Sequence, residues 1–349
     1  MDHTYSIATL EAFVKDLFAA NGCPADDAAE IAGDIVSISA GGIDTHGLNR
    51  VPVYINAIQK GRISARPKVS VSGKGSVIRV DADNGMGHLA ARAALDHGIG
   101  AAKENGIGVV YVQHSNHFGA AYEYCRQAAE QNVASFVFTN APIAVAPFGG
   151  RSPYFGTNPI SMGFPNRNYP IIVDMSTSAA ARGKLGKAKE EGRAIPEGWA
   201  LDSEGHATTD PAAGLAGVLL PMAGPKGYAL ALAVEMFGAV LPDAALSPEV
   251  GYLYDLEETK PCNAGHCFIF VSMEPPFMDE GITQRTDDFV AALKAVPPAK
   301  GFEEVLIPGE DRWIVRQKRL AEGIPVADGL YTQLNELAMH AGITPLSER

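Results

Sequence analysis

The chain has 349 residues, of which 46% are hydrophobic and 19% are charged, a composition typical of a globular protein with one large domain or a few lobes. Its formal net charge of −12 excludes nucleic acid as the expected partner, because no run of Lys or Arg is present to displace counterions. The four cysteines lack the spacing of a disulfide framework and the N-terminus lacks a basic, apolar signal, so we expect a reduced, cytoplasmic protein that does not bind membranes.

The first sixty residues contain three segments with apolar residues at helical spacing. The first predicted helix begins near Ile7 and stops before Asn21-Gly22, and the second extends from Pro24 to about residue 40. The third begins near Asp44 or Thr45, either of which can cap it, and continues toward residue 61. Because Pro52 lies inside this third helix, we expect a kink or a delayed start there.

From residue 69 onward the apolar residues alternate, and strands and helices follow each other. The predicted strands are 69–72 and 76–83, which form a hairpin, then 108–113, 134–139, 171–175 and 267–273. The predicted helices are 90–103, 120–131, 178–191, 226–241, 279–296, 311–322 and 327–341. The 226–241 helix is interpreted as a buried core helix, and the last two helices are expected to pack on the N-terminal ones. Residues 141–165, rich in Pro and Gly, are expected to form a long irregular functional loop.

The stretch D-T-H-G-L-N-R places groups suited to catalysis four residues apart. On one helix face, His46, Arg50 and Tyr54 offer an imidazole that exchanges protons near neutral pH, a planar donor matched to a carboxylate, and a phenol. The alternative is a solvent-exposed helix face on which the histidine and the arginine occur by chance. Gly47 favours the functional interpretation, because glycine in a helical turn costs about 1 kcal/mol and usually marks close approach by another segment.

A second polar cluster follows the strand at 108–113, where H-S-N-H-F-G-A-A leads into a helix of small residues. Open sheets bind ligands at such strand ends, and the free N–H groups of a helix start suit an anion. His117 lies in this turn, and a solvent-facing histidine is the alternative. The earlier G-M-G-H-L-A stretch has the spacing of a dinucleotide fingerprint, but the following strand lacks the acid that would hold a ribose. We interpret it as a tight turn and leave a ligand role open.

Two further classes of site are disfavoured by the sequence. Cys262, His266 and Cys267 supply potential zinc ligands within six residues, but no second pair completes a tetrahedral site, so buried cysteines are the better interpretation. The chain contains neither a G-x-S-x-G motif nor a phosphate-binding loop of the Walker type, which disfavours an α/β-hydrolase or a P-loop kinase.

The stretch D-T-H-G-L-N-R-V-P-V-Y resembles the S-H-G-x-x-R-x-P-x-Y signature of the malate/L-lactate dehydrogenase-like oxidoreductases. That family also includes ureidoglycolate, sulfolactate and diketogulonate enzymes and reductases of cyclic imino acids. The likeness continues through nearly the whole chain in order, in H-S-N-H-F-G-A-A, A-P-F-G-G, F-G-T-N-P-I, V-D-M-S-T-S-A-A-A-R-G-K, K-G-Y-A-L-A-L and L-I-P-G-E.

The resemblance implies an α/β fold with a non-Rossmann, mixed-sheet nucleotide-binding domain and a helical lobe formed by both chain ends. The implied segments are residues 1–66 for the N-terminal helical lobe with the substrate-site helix, 67–310 for the NAD(P)-binding domain, and 311–349 for C-terminal helices packed on that lobe. It also implies a homodimer with the active site at its interface.

The resemblance further implies a role for individual residues. His46 is expected to donate the proton, supported by Thr45 at the position of the signature serine, and Arg50 to anchor the substrate carboxylate. Tyr54 and Thr157 are expected to contact the substrate. His117 matches a histidine described as a catalytic base in some members. Contacts to NAD or NADP, with no metal, are expected from His117, Phe118, Gly119, Ala120, Ala121, Asp174, Met175, Ser176, Arg182, Gly183, Pro308, Gly309 and Glu310.

The implied activity is the NAD(P)-dependent interconversion of a small 2-hydroxy acid and its 2-oxo acid. An NADPH-dependent reductase of cyclic 2-imino acids is the alternative, disfavoured because Lys184 stands where those reductases have an aspartate. From another class, a cofactor-free lyase or hydrolase using His46 and His117, or a binding protein on a former enzyme scaffold, remains open at this point.

Overall fold

The computed structural model describes residues 3–255 and 257–348. The α-helices in these ranges are α1 (Ile7–Ala20), α2 (Ala25–Ala40), α3 (Val51–Gln59), α4 (Gly87–Asn105), α5 (Ala121–Ala129), α6 (Arg182–Glu190), α7 (Pro211–Ala216), α8 (Pro225–Glu235), α9 (Ile282–Lys294), α10 (Glu310–Glu322) and α11 (Asp328–Ala341). The strands are β1 (His3–Tyr5), β2 (Ser70–Lys74), β3 (Val77–Asp81), β4 (Ile107–Ser115), β5 (Val133–Thr139), β6 (Ile160–Phe164), β7 (Ile171–Met175), β8 (Ala200–Leu201), β9 (Val218–Leu219), β10 (Ala264–Ser272) and β11 (Ile324–Val326).

A seven-stranded mixed sheet with the order β2-β3-β4-β10-β5-β6-β7 forms the centre of the molecule. Within the described residues β3 and β4 pair in parallel, and every other neighbouring pair of this sheet is antiparallel. A Rossmann fold requires a mostly parallel sheet with crossover helices, so the predicted non-Rossmann mixed sheet is confirmed. Phe268 and Phe270 of β10 are fully buried in the core between the sheet and α4 and α5.

One edge of this sheet collects the segments that the sequence assigns to function. β4, β5 and β7 end at this edge, and β10 and β6 begin there. The register places Ser115 beside Ala264, Thr139 beside His266, and Met175 beside the first residue of β6. The loops that leave these strands therefore meet above a single row of strand ends.

Both ends of the chain lie together, as predicted for the last two helices. β1 pairs with β11 in an antiparallel two-stranded sheet, α11 contacts α1 and α3, and α10 contacts α2. Fully buried residues from both ends share one apolar core, among them Leu10, Phe13 and Leu17 of α1 and Leu334 and Ala338 of α11. The boundaries at residues 66 and 311 stay predictions.

The third predicted helix begins later than its first capping signal. Residues 44–50 form two successive 3-10 turns, and α3 starts at Val51, so the helix predicted from Asp44 or Thr45 is wrong and the delayed start at Pro52 is confirmed. His46 and Arg50 consequently lie on consecutive turns and not on one α-helical face.

Other predicted elements differ from the structure where the sequence pattern is short or mixed. β6 lies inside the loop predicted for 141–165, because its alternation covers only five residues and follows a stretch rich in Pro and Gly, which predicts a loop. α6 begins at Arg182 and not at Ser178. The short elements α7, β8 and β9 were not predicted at all.

The apolar helix predicted for 226–241 is not buried in this chain. α8 ends at Glu235 and continues as a π-helical turn at Met236–Val240. Leucine, methionine and valine side chains along it are exposed to solvent, namely Leu230, Leu232, Met236, Val240 and Leu241. Across residues 3–255 and 257–348, no helix combines the length and the apolar character needed to cross a bilayer.

Candidate active site

A cavity of about 670 Å³ lies at the loop-bearing edge of the sheet. Its walls include side chains or backbone of the predicted site residues His46, His117, Phe118, Gly119, Ala120, Ala121, Thr157, Asp174 and Arg182. Segments far apart in the sequence thus meet around one space, as the strand-end positions require.

A close contact with α2 determines how residues 44–50 turn into this cavity. A Cβ atom at Gly47 would lie 2.2 Å from Ser39 Oγ, so only glycine fits here, and Leu48 N–H donates to the same oxygen at 2.9 Å. The close approach of another segment, which the glycine at position 47 predicted, is therefore confirmed. Arg319 of α10 fixes the other side of the turn by donating to both carboxylate oxygens of Asp44, at 2.6 and 3.0 Å.

His46 presents an imidazole to the cavity beside a second imidazole. Its Nδ1 lies 3.0 Å from Thr45 Oγ1, and its ring stacks on that of His117 with centroids 5.6 Å apart. Burial, and after it the positive charge of Arg50, lowers the pKa of His46 to about 4. His46 is therefore neutral at neutral pH and able to accept a proton.

His117 is held in one tautomer by two donors to the same nitrogen. Gly119 N–H donates to His117 Nδ1 at 3.2 Å, and the Tyr54 hydroxyl lies 2.6 Å from that atom. Burial raises the pKa of Tyr54 well above its usual value, so its hydroxyl keeps its proton and donates it. Nδ1 is then the acceptor and Nε2 carries the ring proton. Burial also holds the pKa of His117 well below its usual value.

Arg50 lies next to these imidazoles without an acidic partner in the described ranges. No carboxylate there is paired with its half-buried guanidinium, whose buried Nε has no hydrogen-bond partner. The guanidinium carbon packs 4.4 Å from the ring centre of Tyr254, which itself lines the cavity. Arg50 is not itself among the wall residues, but an unpaired cation that packs on the wall residue Tyr254 and lowers the pKa of His46 is suited to bind an anion there.

Tyr254 belongs to a wall segment, residues 250–254, that the sequence analysis missed. Arg62, a buried residue, holds this segment by donating to the carbonyl oxygens of Leu253 at 2.9 Å and Asp255 at 2.8 Å. The stretch V-G-Y-L-Y has no secondary-structure period and no catalytic residue type, so only its paired tyrosines signal a surface for a ligand.

The remaining predicted site residues lie outside the cavity wall. Thr45 contacts the wall residue His46 through its hydroxyl, and Tyr54 is fully buried behind His117. Met175 and Gly183 adjoin wall residues in the chain, and Ser176 lies two positions after the wall residue Asp174. Pro308 O accepts from Ile172 N–H, and Glu310 accepts from Ile307 N–H and pairs with Lys294. The roles given to all of these residues, including Gly309, stay predictions.

The cavity is long enough, and has the donors, for an extended dinucleotide. Four strand spacings separate β4, which leads to His117, from β7, which carries Asp174, or about 19 Å at ~4.8 Å each. No side chain caps the start of α5, so its first N–H groups, at wall residues Ala120 and Ala121, are free for a phosphate. Desolvation raises the pKa of Asp174 to about 6, against the opposing charge of Arg312.

No group of three or more His, Cys, Asp or Glu side chains able to hold a metal ion occurs in the parts of the chain that the structure describes. Cys262 and Cys267 are buried free thiols, and burial raises the pKa of Cys262 to about 11 and of Cys267 to about 12. His266 instead lies within 2.7 Å of Thr139 Oγ1 and 2.8 Å of Ser115 Oγ.

The tautomer of His117 is directly measurable. In a protein with ¹⁵N-labelled histidine at neutral pH, we expect the His117 Nδ1 resonance in the unprotonated range and a proton on Nε2, because two donors occupy Nδ1. A His117→Asn sample assigns the signal. A proton found on Nδ1 would contradict this arrangement.

Comparison with known proteins gives the same family that the motifs imply. The family described as malate/L-lactate dehydrogenase matches residues 5–335. An L-sulfolactate dehydrogenase of Methanocaldococcus jannaschii is 37% identical over 331 residues, covering 95% of each chain. A ureidoglycolate dehydrogenase (NAD(+)) of Escherichia coli K12 is 33% identical over 335 residues, again covering 95% of each.

Comparison with solved structures indicates the same family as the sequence comparisons. The sulfolactate dehydrogenase from Methanocaldococcus jannaschii superposes with a TM-score of 0.93 at 34% identity, over 99% of each chain. A delta1-piperideine-2-carboxylate reductase from Pseudomonas syringae pvar. tomato superposes with a TM-score of 0.87 at 31% identity, over 96% of this chain and 100% of that one. The predicted family and fold are confirmed, and this chain belongs to the malate/L-lactate dehydrogenase family.

Proposed function

We propose that this protein is an NAD(P)-dependent oxidoreductase that interconverts a small 2-hydroxy acid and its 2-oxo acid. The observation that carries the proposal is the pairing of a neutral, cavity-lining imidazole, His46, with the nearby guanidinium of Arg50, which has no acidic partner among the described residues. An acid with an adjacent hydroxyl satisfies both groups at once. The relatives support this chemistry, since sulfolactate and ureidoglycolate are both 2-hydroxy acids.

The chain's own groups account for binding and proton movement. Arg50 binds the substrate carboxylate, and Thr157 and the 250–254 wall enclose the rest of the molecule. During oxidation of the hydroxy acid, His46 accepts the hydroxyl proton, with Thr45 Oγ1 at its Nδ1. His117, oriented by Tyr54, offers its Nε2–H to the same substrate oxygen. When bound, the nicotinamide supplies the hydride acceptor or donor.

Substrate binding also adjusts the basicity of His46. Arg50 is one of the two causes that lower its pKa, and a bound carboxylate neutralises that charge. A bound carboxylate therefore raises the pKa of His46 against burial, the larger cause that holds it low, and so favours the protonated ring that returns its proton to a 2-oxo acid in the reverse direction.

The nucleotide is assigned to the remainder of the cavity. We place the contacts at His117 to Ala121, at Asp174 to Ser176, at Arg182 and Gly183, and at Pro308 to Glu310, around the free start of α5. We likewise retain residues 1–66 and 311–349 as one helical lobe that carries the substrate segment, with residues 67–310 as the nucleotide-binding domain.

Loss of the imidazole should affect turnover more than binding. We expect His46→Ala to lower kcat by about 100-fold or more, because a general acid–base residue contributes a factor of this size. The assay follows NADH and NADPH absorbance with the substrate at saturation. His340→Ala, at an exposed histidine of α11, is the matched control and should leave kcat unchanged.

The pH profile checks the same assignment. For the free enzyme, kcat/KM of hydroxy-acid oxidation should fall only as the pH approaches about 4, where His46 becomes protonated and can no longer accept the hydroxyl proton. Near-normal turnover of His46→Ala would remove this residue from the mechanism.

Loss of the guanidinium should weaken capture of the acid. We expect Arg50→Ala to raise KM for the acid by about 100-fold, because two charge-assisted hydrogen bonds are lost, with a smaller change in kcat. Steady-state kinetics with the acid as varied substrate measure this. Arg66→Ala, at an exposed arginine, is the control. An unchanged KM in Arg50→Ala would contradict the anchor.

A cyclic 2-imino acid reductase is the second candidate, favoured by the superposition on the piperideine-carboxylate reductase. Such a substrate has a carboxylate next to a C=N bond and would use Arg50 and His46 in the same way. A panel containing 2-oxo acids and cyclic imino acids distinguishes the two activities by their relative kcat/KM.

We further propose a homodimer that uses the exposed apolar side of α8. Apolar side chains of this size are normally covered, and here they form a continuous stripe from Leu230 to Leu241. The helix also contacts a segment of the cavity wall, because Asn158, next to the wall residue Thr157, donates to Ala231 O at 3.1 Å and to Glu235 Oε2 at 2.8 Å. An interface through α8 therefore lies directly behind the active site.

Sedimentation velocity tests the dimer. We expect the wild-type chain, 36.8 kDa, to sediment at twice its mass, and Leu232→Glu to shift it to the monomer, because a charge buried in an apolar interface lacks a partner. Phe289→Glu, at an exposed residue of α9, is the control. A monomeric wild type would overturn the proposal.

The cellular location proposed is the cytoplasm. All four cysteines are free thiols and buried, which fits a reducing compartment.

A further inference from the structure

Helix α8 buries a carboxylate and exposes leucine and methionine side chains, which reverses the usual pattern of a surface helix. Ala231 and Glu235, one helical turn apart, are buried. The residues that follow them in the chain, Leu232 and Met236, are exposed. Because a buried carboxylate requires hydrogen-bond donors, the partners of Glu235 show what the inner face of α8 holds in place.

Three donors converge on the two oxygens of Glu235. Ser247 N–H donates to Oε1 at 2.6 Å, and the Ser247 hydroxyl donates to Oε2 at 2.7 Å. Asn158 Nδ2 donates to Oε2 at 2.8 Å and to Ala231 O at 3.1 Å. Since all three partners of the side chain are donors, the position matches a carboxylate, which only accepts, and not an amide, which carries a donor at one end.

These contacts hold the chain on both sides of Thr157, a residue of the cavity wall. Asn158 follows it directly. Gly156 precedes it and donates its N–H at 3.2 Å to Ser247 Oγ, which in turn donates to the carboxylate. The carbonyl oxygen of Thr157 is fixed separately, by the N–H of Thr177 at 2.9 Å and its hydroxyl at 3.1 Å. Both chain neighbours of the wall residue are therefore connected to one buried acid.

The backbone of this segment has little freedom to move once these contacts are made. Asn158 has a φ of 38°, in the left-handed region that residues other than glycine adopt at a cost, and such a conformation persists where the surrounding contacts require it. A Cβ atom at Gly156 would lie 2.3 Å from Ala141 O, so this residue packs closely on another wall residue of the cavity. The position of Thr157 in the wall thus depends on the contacts of its two neighbours.

We infer that Glu235 is a positioning residue of the active site, which acts on the substrate through Thr157 without contacting the substrate itself. The inference rests on the proposed function, because it requires Thr157 to contact the bound acid. By holding both neighbours of Thr157, the carboxylate presents the hydroxyl of that residue to the acid in one orientation, and less binding energy is then needed to order the wall.

Glu235→Gln tests this role with almost no change of shape. The amide directs its NH₂ group either at Ser247 N–H or at Asn158 Nδ2, and both orientations bring two donors together. Steady-state kinetics use the full chain with NADH or NADPH and the best substrate among pyruvate, oxaloacetate and 3-sulfopyruvate. We expect KM for the acid to rise about 10-fold, with a change in kcat of less than about 2-fold, because binding and not proton transfer is affected.

Glu104→Gln is the matched control. Glu104 is exposed near the end of α4, just before the start of β4, and so lies at the sheet edge opposite to the cavity. It should leave both kinetic constants unchanged. Sedimentation velocity of Glu235→Gln should match that of the wild type, because the substitution changes the inner and not the exposed face of α8.

A double-mutant cycle distinguishes positioning from a general loss of structure. Thr157→Val removes the hydroxyl and keeps the branched shape, so we expect it to raise KM about 10-fold by itself. If Glu235 acts through this hydroxyl, Glu235→Gln should raise KM by no more than about 2-fold in the Thr157→Val background. Ser247→Ala removes the connection between Gly156 N–H and the carboxylate and should behave in the same way, so it takes the place of Glu235→Gln if that variant does not fold.

The outcomes distinguish failure of the inference from failure of the proposed function. The positioning role is overturned by an unchanged KM in Thr157→Val or in the folded variant at 235 or 247, and equally by the same increase of KM in both backgrounds. A Glu235→Gln protein that sediments differently from the wild type also overturns it, because the effect would then arise at the interface. All of these results leave the oxidoreductase standing. No reduction of any of the three acids with either cofactor overturns the proposed function, and the inference with it.

Discussion

The contact between Gly47 and Ser39 determines where the chemistry of this protein takes place. A side chain at Gly47 would collide with Ser39 Oγ, and the same oxygen accepts a hydrogen bond from Leu48 N–H, so the backbone between the two 3-10 turns that carry His46 and Arg50 has one geometry. Arg319 holds Asp44 from the opposite side. The C-terminal helix α10 and the N-terminal helix α2 thereby fix the orientation of His46, which explains physically why the two chain ends must pack together.

The electrostatic state of the site follows from burial. His46, His88, His117 and His266 lie close together, and desolvation is the largest cause that lowers the pKa of each, to about 4 for His46 and about 3 for His88 and His266. Four neutral imidazoles leave Arg50 as the cation of the cluster, with no acid near it among the described residues. A cation beside neutral imidazoles suits a carboxylate that is placed next to a proton acceptor.

Much of this arrangement was predictable from the sequence, and the exceptions have local causes. Helical spacing located α1, α2 and α11 because each buries apolar side chains on one face, and the ordered motifs indicated the mixed sheet. The single helix through His46 and Arg50 was wrong because spacing alone does not distinguish an α-helix from 3-10 turns broken at Gly47. The prediction that α8 is buried in the core was also wrong, since an apolar sequence does not indicate whether residues of the same chain cover the helix. The contribution of residues 250–254 to the cavity wall was not predicted, because aromatic residues in an irregular segment show no helical or strand periodicity.

The two ends of the cavity differ in the kind of ligand group they can stabilise. The end near β7 combines Asp174, Arg182 and Arg312, charged groups that suit a ribose and phosphates, whereas the end near β4 combines neutral imidazoles with tyrosine and aliphatic walls. A dinucleotide lying along the row of strand ends would place its charged part over the first and its nicotinamide near the second. The acid would then bind between the 250–254 wall and the nicotinamide, with Arg50 beside its carboxylate, so the same sheet edge aligns both the cofactor and the substrate.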